Sequence, residues 1–367
     1  MKQCIFHYPG PVDNRPGVGS ALRPNRMLNA FKELGYEVFE ITGYSKERKE
    51  KIKSLKAKIK NGEKFDFVYS EIVNSPTAYS DADHIPRHPF MDCNFFAYCK
   101  KKDIPVGLFY RDIYWRFPIY KETVSIAKRL TLIPAFKYEI SRYRKSVSRL
   151  FLPTMIMQKY GLDGMEGFPL PPGGDIYPEL LEKKANRIPV EDGKLKLFYV
   201  GSLSSMYDNT KLFEAVKNTE NVYLTVCTHK NQWESLKETY APYMCDRIEI
   251  VHKSGKDLIP HYLEADISPY CLNKCDYLDL AMPIKVFETI SYGTPLLVAD
   301  IHSIGELVKN ENIGWNTKNT AEGIADTLKF LRDNPNEIAE KTANTISIVS
   351  NHTWLARAKQ AAEQLTK

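Results

Sequence analysis

Long apolar runs are missing from this sequence. Nowhere in its 367 residues is there an unbroken hydrophobic stretch of the roughly 18 to 20 residues that a helix needs to cross a bilayer, so a reading as a helical membrane-spanning protein is excluded. The opening residues, MKQCIFHYPGP, turn polar too soon for a signal peptide. Cysteine is scarce: seven in all, an odd number, with Cys4, Cys93, Cys227 and Cys245 scattered widely. The nearest two, Cys271 and Cys275, have three residues between them and no matching pair elsewhere, a spacing that does not fit a zinc knuckle. Reduced thiols and a cytoplasmic setting are expected. Short repeats, low-complexity tracts, a P-loop, a G-x-G-x-x-G fingerprint and a nucleic-acid module are all lacking. No nucleic-acid partner is expected.

What is present fits an ordinary globular protein, with 43% hydrophobic and 26% charged residues. The length is about twice that of a common domain, which predicts two. Charge separates along the chain. Residues 1–170 hold 29 Lys and Arg against 18 Asp and Glu, whereas the remainder holds 22 against 27. The basic half and the mildly acidic half are therefore expected to face different partners.

Strand and helix patterns alternate. QCIFHY (3–8), a Pro- and Gly-rich loop, the helix NRMLNAFKELG and the strand YEVFEIT form one βαβ unit. FDFVYSE, a helix from 89, IPVGLFYRD and LFLPTM continue the series. Residues 171–194 are dense in Pro and Gly and read as a linker. From 195 the alternation restarts with LKLFYVGS, VYLTVCT, IEIVHK, DISPYCL and PLLVAD as strands. The expected fold is α/β, two Rossmann-like domains over 1–170 and 195–350. Ligands are expected outside the carboxyl ends of the strands, in the cleft that the domains face.

The stretch DLAMPIKVFETISYGTPLLVAD, 279–300, carries the most chemistry. Pro283 suits a first helical turn, leaving the N–H groups of 284–286 free to meet an anion. Lys285 is a cation at the end of a helix that disfavours one, unless a phosphate is bound. Glu288, one turn on, is placed to accept hydrogen bonds from sugar hydroxyls. The competing reading is a surface ion pair between Lys285 and Glu288. Val286, Phe287 and Ile290 face the core, and Gly293 with Pro295 stops the helix.

MPIKVFETISYGTPLLVAD resembles the P-x-K-x-x-E-x-x-x-x-G-x-P motif of GT-B glycosyltransferases of the family 4 type. KLFYVGSLSS is similar to that family's first carboxyl-domain strand and glycine loop, and LPPGGD to its interdomain link. HTWLARAKQAAEQL is similar to its closing helix, here about 351–367, which packs back on the amino-terminal domain. The resemblance implies the GT-B fold and a nucleotide-sugar donor, UDP- or GDP-linked. It implies that Glu288 binds the ribose hydroxyls, and it implies retention of configuration without a divalent metal or other cofactor. The donor set read this way is Glu288, Lys285, Ile284, Ser202, Lys211, Thr228, His229 and Tyr270, with Glu306 as a second glutamate.

Three positions depart from the family pattern. Leu280 stands where an acidic residue is common. Ser202, Met206 and Tyr207 stand where an Arg and a Lys usually grip the diphosphate, so that Lys285, Lys211 or His229 with Lys230 must supply the charge. Arg111 stands where a His usually precedes Asp112.

In the first half, Gly17, Val18, Gly19 and Ser20 form a glycine loop at which phosphates or an acceptor approach the backbone closely, beside Arg15, Arg23 and Arg26. Asp112, at a strand's carboxyl end, is placed to take the acceptor hydroxyl's proton or to orient a sugar, and Arg111, Asp112 and Lys285 form the catalytic set. Two basic segments suit an anionic membrane surface. One is 44–64, with Ile52, Leu55 and Ile59 at helical spacing. The other is 128–151, where Arg and Lys alternate with aromatic and aliphatic residues. The expected function is sugar transfer from a nucleotide donor to a hydroxyl of a saccharide or lipid-linked saccharide, at the inner face of the cell membrane. The alternatives are a non-catalytic nucleotide-sugar-binding subunit and an epimerase on the same fold.

Overall fold

Strand β1 (Gln3–Tyr8) buries every residue from Cys4 onward, as a parallel strand covered on both faces requires. The computed structural model describes residues 2–12, 19–272, 275–299 and 301–367, with backbone alone at 19–21. The chain divides into two compact units. One comprises Met1–Pro172 with Trp354–Lys367, the other Gly173–Thr353.

After β1 the first unit runs through α1 (Gly19–Glu33), β2 (Glu37–Thr42), α2 (Ser45–Lys60), β3 (Phe67–Glu71), α3 (Met91–Lys100), β4 (Val106–Phe109), α4 (Pro118–Thr123), α5 (Ile126–Ser146), β5 (Arg149–Leu152) and β6 (Gly167–Pro169). Its six strands form one parallel sheet in the order β2-β1-β3-β4-β5-β6. Ile5 lies opposite Phe39 on one side and Val68 on the other. The last strand lies at the sheet edge, where its terminal proline costs no ladder bond.

A buried polar chain crosses the core of this unit. His7 Nδ1 lies 2.8 Å from Ser70 Oγ, and His7 Nε2 lies 2.9 Å from Asp92 Oδ1. Arg48 grips both oxygens of Asp92 from Nε and Nη2, at 3.1 and 3.0 Å, and donates a third bond to the Gly43 carbonyl. Burial pushes the His7 pKa down, while these partners hold Asp92 low, at about 2, against the effect of burial. Charges this deep persist only when paired.

The second unit runs through α6 (Pro178–Ala185), β7 (Leu195–Val200), α7 (Thr210–Lys217), β8 (Val222–Cys227), α8 (Lys230–Tyr240), β9 (Ile248–Val251), α9 (Ile259–Glu264), β10 (Ser268–Tyr270), α10 (Ile284–Ser291), β11 (Leu296–Ala299), α11 (His302–Glu311), β12 (Gly314–Thr317), α12 (Ala321–Asp333) and α13 (Pro335–Ile348). Its strands pair in parallel as β7-β8-β9 and β10-β11-β12. A parallel bridge between Leu197 and Ile267 joins the two groups, so β7 neighbours β10. The final helix, α14 (Trp354–Leu365), returns to the first unit. Gly107 in β4 makes this possible, because a side chain there would lie 2.7 Å from both Leu365 Cδ1 and Phe151 Cε2.

The segment 171–194, expected as a linker, belongs to the second unit from Gly173 onward and is helical in α6. Pro178 opens α6, Leu181 is buried, and the buried Lys184 ammonium donates to the carbonyls of Tyr262 and Ala265 at the end of α9. Those carbonyls have no helical partner of their own, so a lysine there joins the segment to the domain. The seven cysteines are free, five of them buried. Among the described residues no helix is long and apolar enough to cross a membrane.

Candidate functional site

Helix α10 starts differently from the sequence expectation. Pro283 is the residue before the helix, extended at ψ 143°, and not its first helical residue. The Val286 N–H bonds back to the Pro283 carbonyl at 3.1 Å, so it is not among the donors free for an anion. The inward face follows the expected pattern, with Val286, Phe287 and Ile290 all buried. Gly293, at φ +68°, ends the helix where a side chain would strike Ile346 at 2.6 Å.

Lys285 Nζ donates to Glu288 Oε2 at 2.6 Å, with the side chains 39% and 28% exposed. The pair answers the local problem of a cation at a helix start, because the carboxylate one turn on neutralises it. Both groups remain accessible to a ligand.

Behind this pair lies an aromatic cluster. The Tyr270 hydroxyl is within 3.3 Å of Thr289 Oγ1, which donates to the Lys285 carbonyl at 2.9 Å. Tyr262 stacks on Tyr292 at 4.4 Å, and Tyr292 on Tyr177 at 5.4 Å, whose hydroxyl donates to Asp175 at 3.1 Å. Burial raises the pKa of Tyr262, Tyr270 and Tyr292, and the Glu288 charge pushes each the same way. Tyr270 is therefore buried behind the helix, with its hydroxyl facing Thr289.

The remaining donor candidates gather at the carboxyl ends of the strands. Ser202 lies two residues past β7, and its carbonyl accepts from the Tyr199 hydroxyl at 2.9 Å. Lys211 is the second residue of α7, and His229 immediately precedes α8. Thr228 is buried. Its hydroxyl donates to Gln232 at 3.2 Å, and its carbonyl lies 2.8 Å from His252 Nδ1, so its side chain shapes the loop. Ile284, the first residue of α10, contributes backbone at the helix start. Burial raises the Cys227 thiol pKa, while Lys285 and Lys253 both lower it. The Lys253 backbone N–H reaches Cys227 Sγ at 3.4 Å, at the end of β8. Lys253 was not among the sequence candidates, although its position just past β9 was a signal of the same kind as those that were chosen.

Leu280 is buried. Its neighbour Asp279 instead accepts from the His302 N–H at 3.4 Å, at the start of α11. Glu306 lies on α11, 58% exposed, 3.3 Å from His302 Nε2.

In the first unit, Asp112 Oδ1 accepts from the Tyr114 N–H at 2.8 Å. It braces the turn after β4, and Arg111 beside it is half-buried. Gly17 and Val18 lie outside the described residues, as does Arg15. Gly19 and Ser20 are described by backbone alone, at the start of α1. Arg23 is not available to an anion. It is buried, paired with Glu71 at 3.0 Å, and lies 3.5 Å over the Phe109 ring. Among the described residues no group of three His, Cys, Asp or Glu is placed to hold a metal ion.

Residues 182–347 match the family model described as Glycosyl transferases group 1. No curated protein is similar in sequence at a significant level. Solved structures are similar over the whole chain at low identity. Sucrose-phosphate synthase from Thermosynechococcus elongatus is 13% identical, with TM-score 0.66 over 99% of this chain and 98% of that one. HepE of Anabaena, solved with UDP-glucose, is 13% identical, with TM-score 0.61 over all of both chains. WaaG, described as a glycosyltransferase involved in lipopolysaccharide biosynthesis, is 15% identical, with TM-score 0.57 over all of both. These likenesses show the GT-B fold.

Proposed function

We propose that this chain, a member of the glycosyl transferases group 1 family through residues 182–347, transfers a hexosyl group from a nucleotide-sugar donor to a hydroxyl of a saccharide or lipid-linked saccharide. The observation that carries this reading is the start of α10. There Lys285 and Glu288 stand accessible at the carboxyl side of the sheet, inside the segment that matches the family. HepE is described in complexes with UDP, with UDP and glucose, and with UDP-glucose, which favours a uridine diphosphate donor over a guanosine one.

In the bound state Glu288 leaves Lys285 and accepts hydrogen bonds from ribose hydroxyls, while Lys285 turns to the diphosphate. Lys253 adds a second cation near the same place, in compensation for Ser202 and Met206. Bond cleavage at the anomeric carbon leaves negative charge on the departing diphosphate. These cations and the peptide dipoles of α10 stabilise that charge without reorganising at the moment of reaction. Holding the acceptor hydroxyl against the anomeric carbon supplies most of the remaining acceleration. Asp112, with Arg111 beside it, orients the acceptor or receives its proton. Retention of configuration and independence from metal complete the reading.

The test is a thermal-shift screen with UDP, GDP, ADP and CMP, followed by titration of Glu288→Ala. A nucleotide at 100 times its dissociation constant stabilises by about 2.7 kcal/mol. Loss of the carboxylate weakens UDP binding by about 1–3 kcal/mol, and unchanged affinity removes the ribose assignment. Slow hydrolysis of UDP-glucose by the isolated chain distinguishes an enzyme from a binding subunit, which binds without turnover.

A further inference from the structure

The turn after α6, the end of α9 and one side of α13 border a small pocket in the second unit. Its volume is about 80 Å³, and Lys184, Arg187, Asp266 and Thr342 supply its polar lining. Lys184 and Asp266 are buried, at 3% and 1% exposed, whereas Ala339 and Ala343 on α13 are exposed at its rim. No lining residue belongs to the start of α10, so the pocket is separate from the proposed donor site.

The charges here do not balance. Two cations, Lys184 and Arg187, share the pocket with one carboxylate, Asp266. That carboxylate is already taken up. Its Oδ1 accepts from Arg187 Nη1 and from the Val190 N–H at 3.2 Å, and its Oδ2 accepts from the Lys196 N–H at 2.8 Å. Among the described residues Lys184 has no carboxylate at ion-pair distance. Its ammonium donates to the carbonyls of Tyr262 at 2.9 Å, Leu263 at 3.5 Å and Ala265. Those carbonyls occupy its protons without cancelling its charge. Burial first, and the Arg187 charge next, push the Lys184 pKa down to about 7 against the pull of Asp266. A buried cation short of negative charge is costly.

Arg187 adds a second and independent observation. Its Nη1 is bound to Asp266, but its Nη2 is buried without a hydrogen-bond partner among the described residues. A guanidinium with one nitrogen engaged and the other unmet is a ready donor to an oxoanion. At roughly 10–15 Å³ per water, the space is that of one tetrahedral oxoanion.

We propose that this pocket binds one small oxoanion of the phosphate or sulfate kind, held by the Arg187 guanidinium with the Lys184 charge behind it. The anion supplies the missing negative charge. It also ties together three pieces of chain distant in sequence: α6 with its following turn, the end of α9, and α13. This site stands whether or not the chain transfers a sugar.

Inorganic phosphate is titrated into the whole chain at constant ionic strength, set with sodium chloride, and the melting temperature and heat of binding are read. A saturable rise in melting temperature beyond that in chloride is expected, because a ligand of the folded state stabilises it. Arg187→Gln raises the phosphate dissociation constant about ten-fold or more. That change also removes the ion pair to Asp266, so Ala343→Leu at the exposed rim is read beside it. The leucine closes the pocket without altering a charge, and it abolishes the phosphate effect while the melting temperature in chloride stays the same. Lys285→Ala, at the start of α10, leaves the phosphate effect in place. Glycerol 3-phosphate is run against inorganic phosphate. Tighter binding of the ester assigns the site to a phosphoryl group on a larger molecule that extends past the rim, and tighter binding of phosphate assigns it to the free ion. No phosphate effect beyond chloride overturns the proposal and leaves the pocket to water. An effect that survives both Arg187→Gln and Ala343→Leu overturns it too, as does one lost with Lys285→Ala, which belongs to the donor site. UDP titrated into Arg187→Gln reports that donor site separately.

Discussion

In α2, Ile52 and Leu55 are buried and the lysines point to solvent, whereas the first half of α5 holds Ile126 and Leu130 in solvent among its basic residues. Both segments read in sequence as basic helices with an apolar stripe, and that pattern alone does not say whether a stripe meets the domain or something else. The neighbours decide. Helix α2 is held down at one end by the Arg48–Asp92 pair and the Gly43 carbonyl, which turns Ile52 and Leu55 inward. Helix α5 is held by its later residues. Phe136 stacks flat on Trp115 at 5.0 Å, and Glu139 and Tyr143 are buried beside it. The earlier residues then lie wherever that anchoring turns them.

The contrast can be broken most forcefully at Arg48. Arg48→Ala leaves Asp92 buried without its bidentate partner and is expected to cost about 3–5 kcal/mol, read from urea unfolding followed on the first unit. A loss under about 1 kcal/mol would show that water replaces the guanidinium and that the pair does not anchor α2. A matched pair of leucines sharpens the comparison next. Leu55→Ala, at a site 4% exposed, costs about 3 kcal/mol, whereas Leu130→Ala costs less than about 0.5 kcal/mol. Equal losses would erase the distinction between the two helices.

At any single pH step the anchor of α5 shows a smaller effect than Arg48 or Leu55. Burial raises the Glu139 carboxyl pKa to about 8, although the backbone N–H groups of Ala78 and Thr77 and the Tyr143 hydroxyl pull it the other way. Between its ordinary 4.5 and about 8 the unfolded chain has released this proton and the folded chain retains it. The folded state therefore binds more protons, and stability falls as pH rises through the window, by at most about 1.4 kcal/mol per pH unit. Glu139→Gln removes that slope, so the difference between the variant's stability and the wild type's changes with pH across the window. A difference that stays constant would show that Glu139 is ionised throughout.

Much of the fold was legible in the sequence because parallel strands are short apolar runs separated by helices, and runs such as QCIFHY, FDFVYSE and VYLTVCT fit nothing else. The helix motif of the second unit was legible for a similar reason. Proline, lysine, glutamate and glycine at fixed spacing in 283–293 each serve a local purpose at a helix start or stop. What local reasoning assigned less well depends on contacts distant in sequence. Arg23 looked free beside a glycine loop, yet Glu71, 48 residues on, takes its charge. Tyr270 lies beside Thr289, 19 residues on, a contact no local pattern announces. Lys253 was passed over, and only the pairing of β8 with β9 brings its N–H to Cys227 Sγ at 3.4 Å.

The sequence by itself determined the alternation of strands and helices, the stop of α10 at Gly293, and the placing of Lys285 and Glu288 one turn apart. Those features follow from backbone preference and helical period, which act over a few residues. Only the tertiary structure decided which basic helix shows its apolar side to solvent and which arginine is consumed by a buried carboxylate. Burial and charge pairing are properties of neighbours in space, and the fold brings those neighbours from far along the chain.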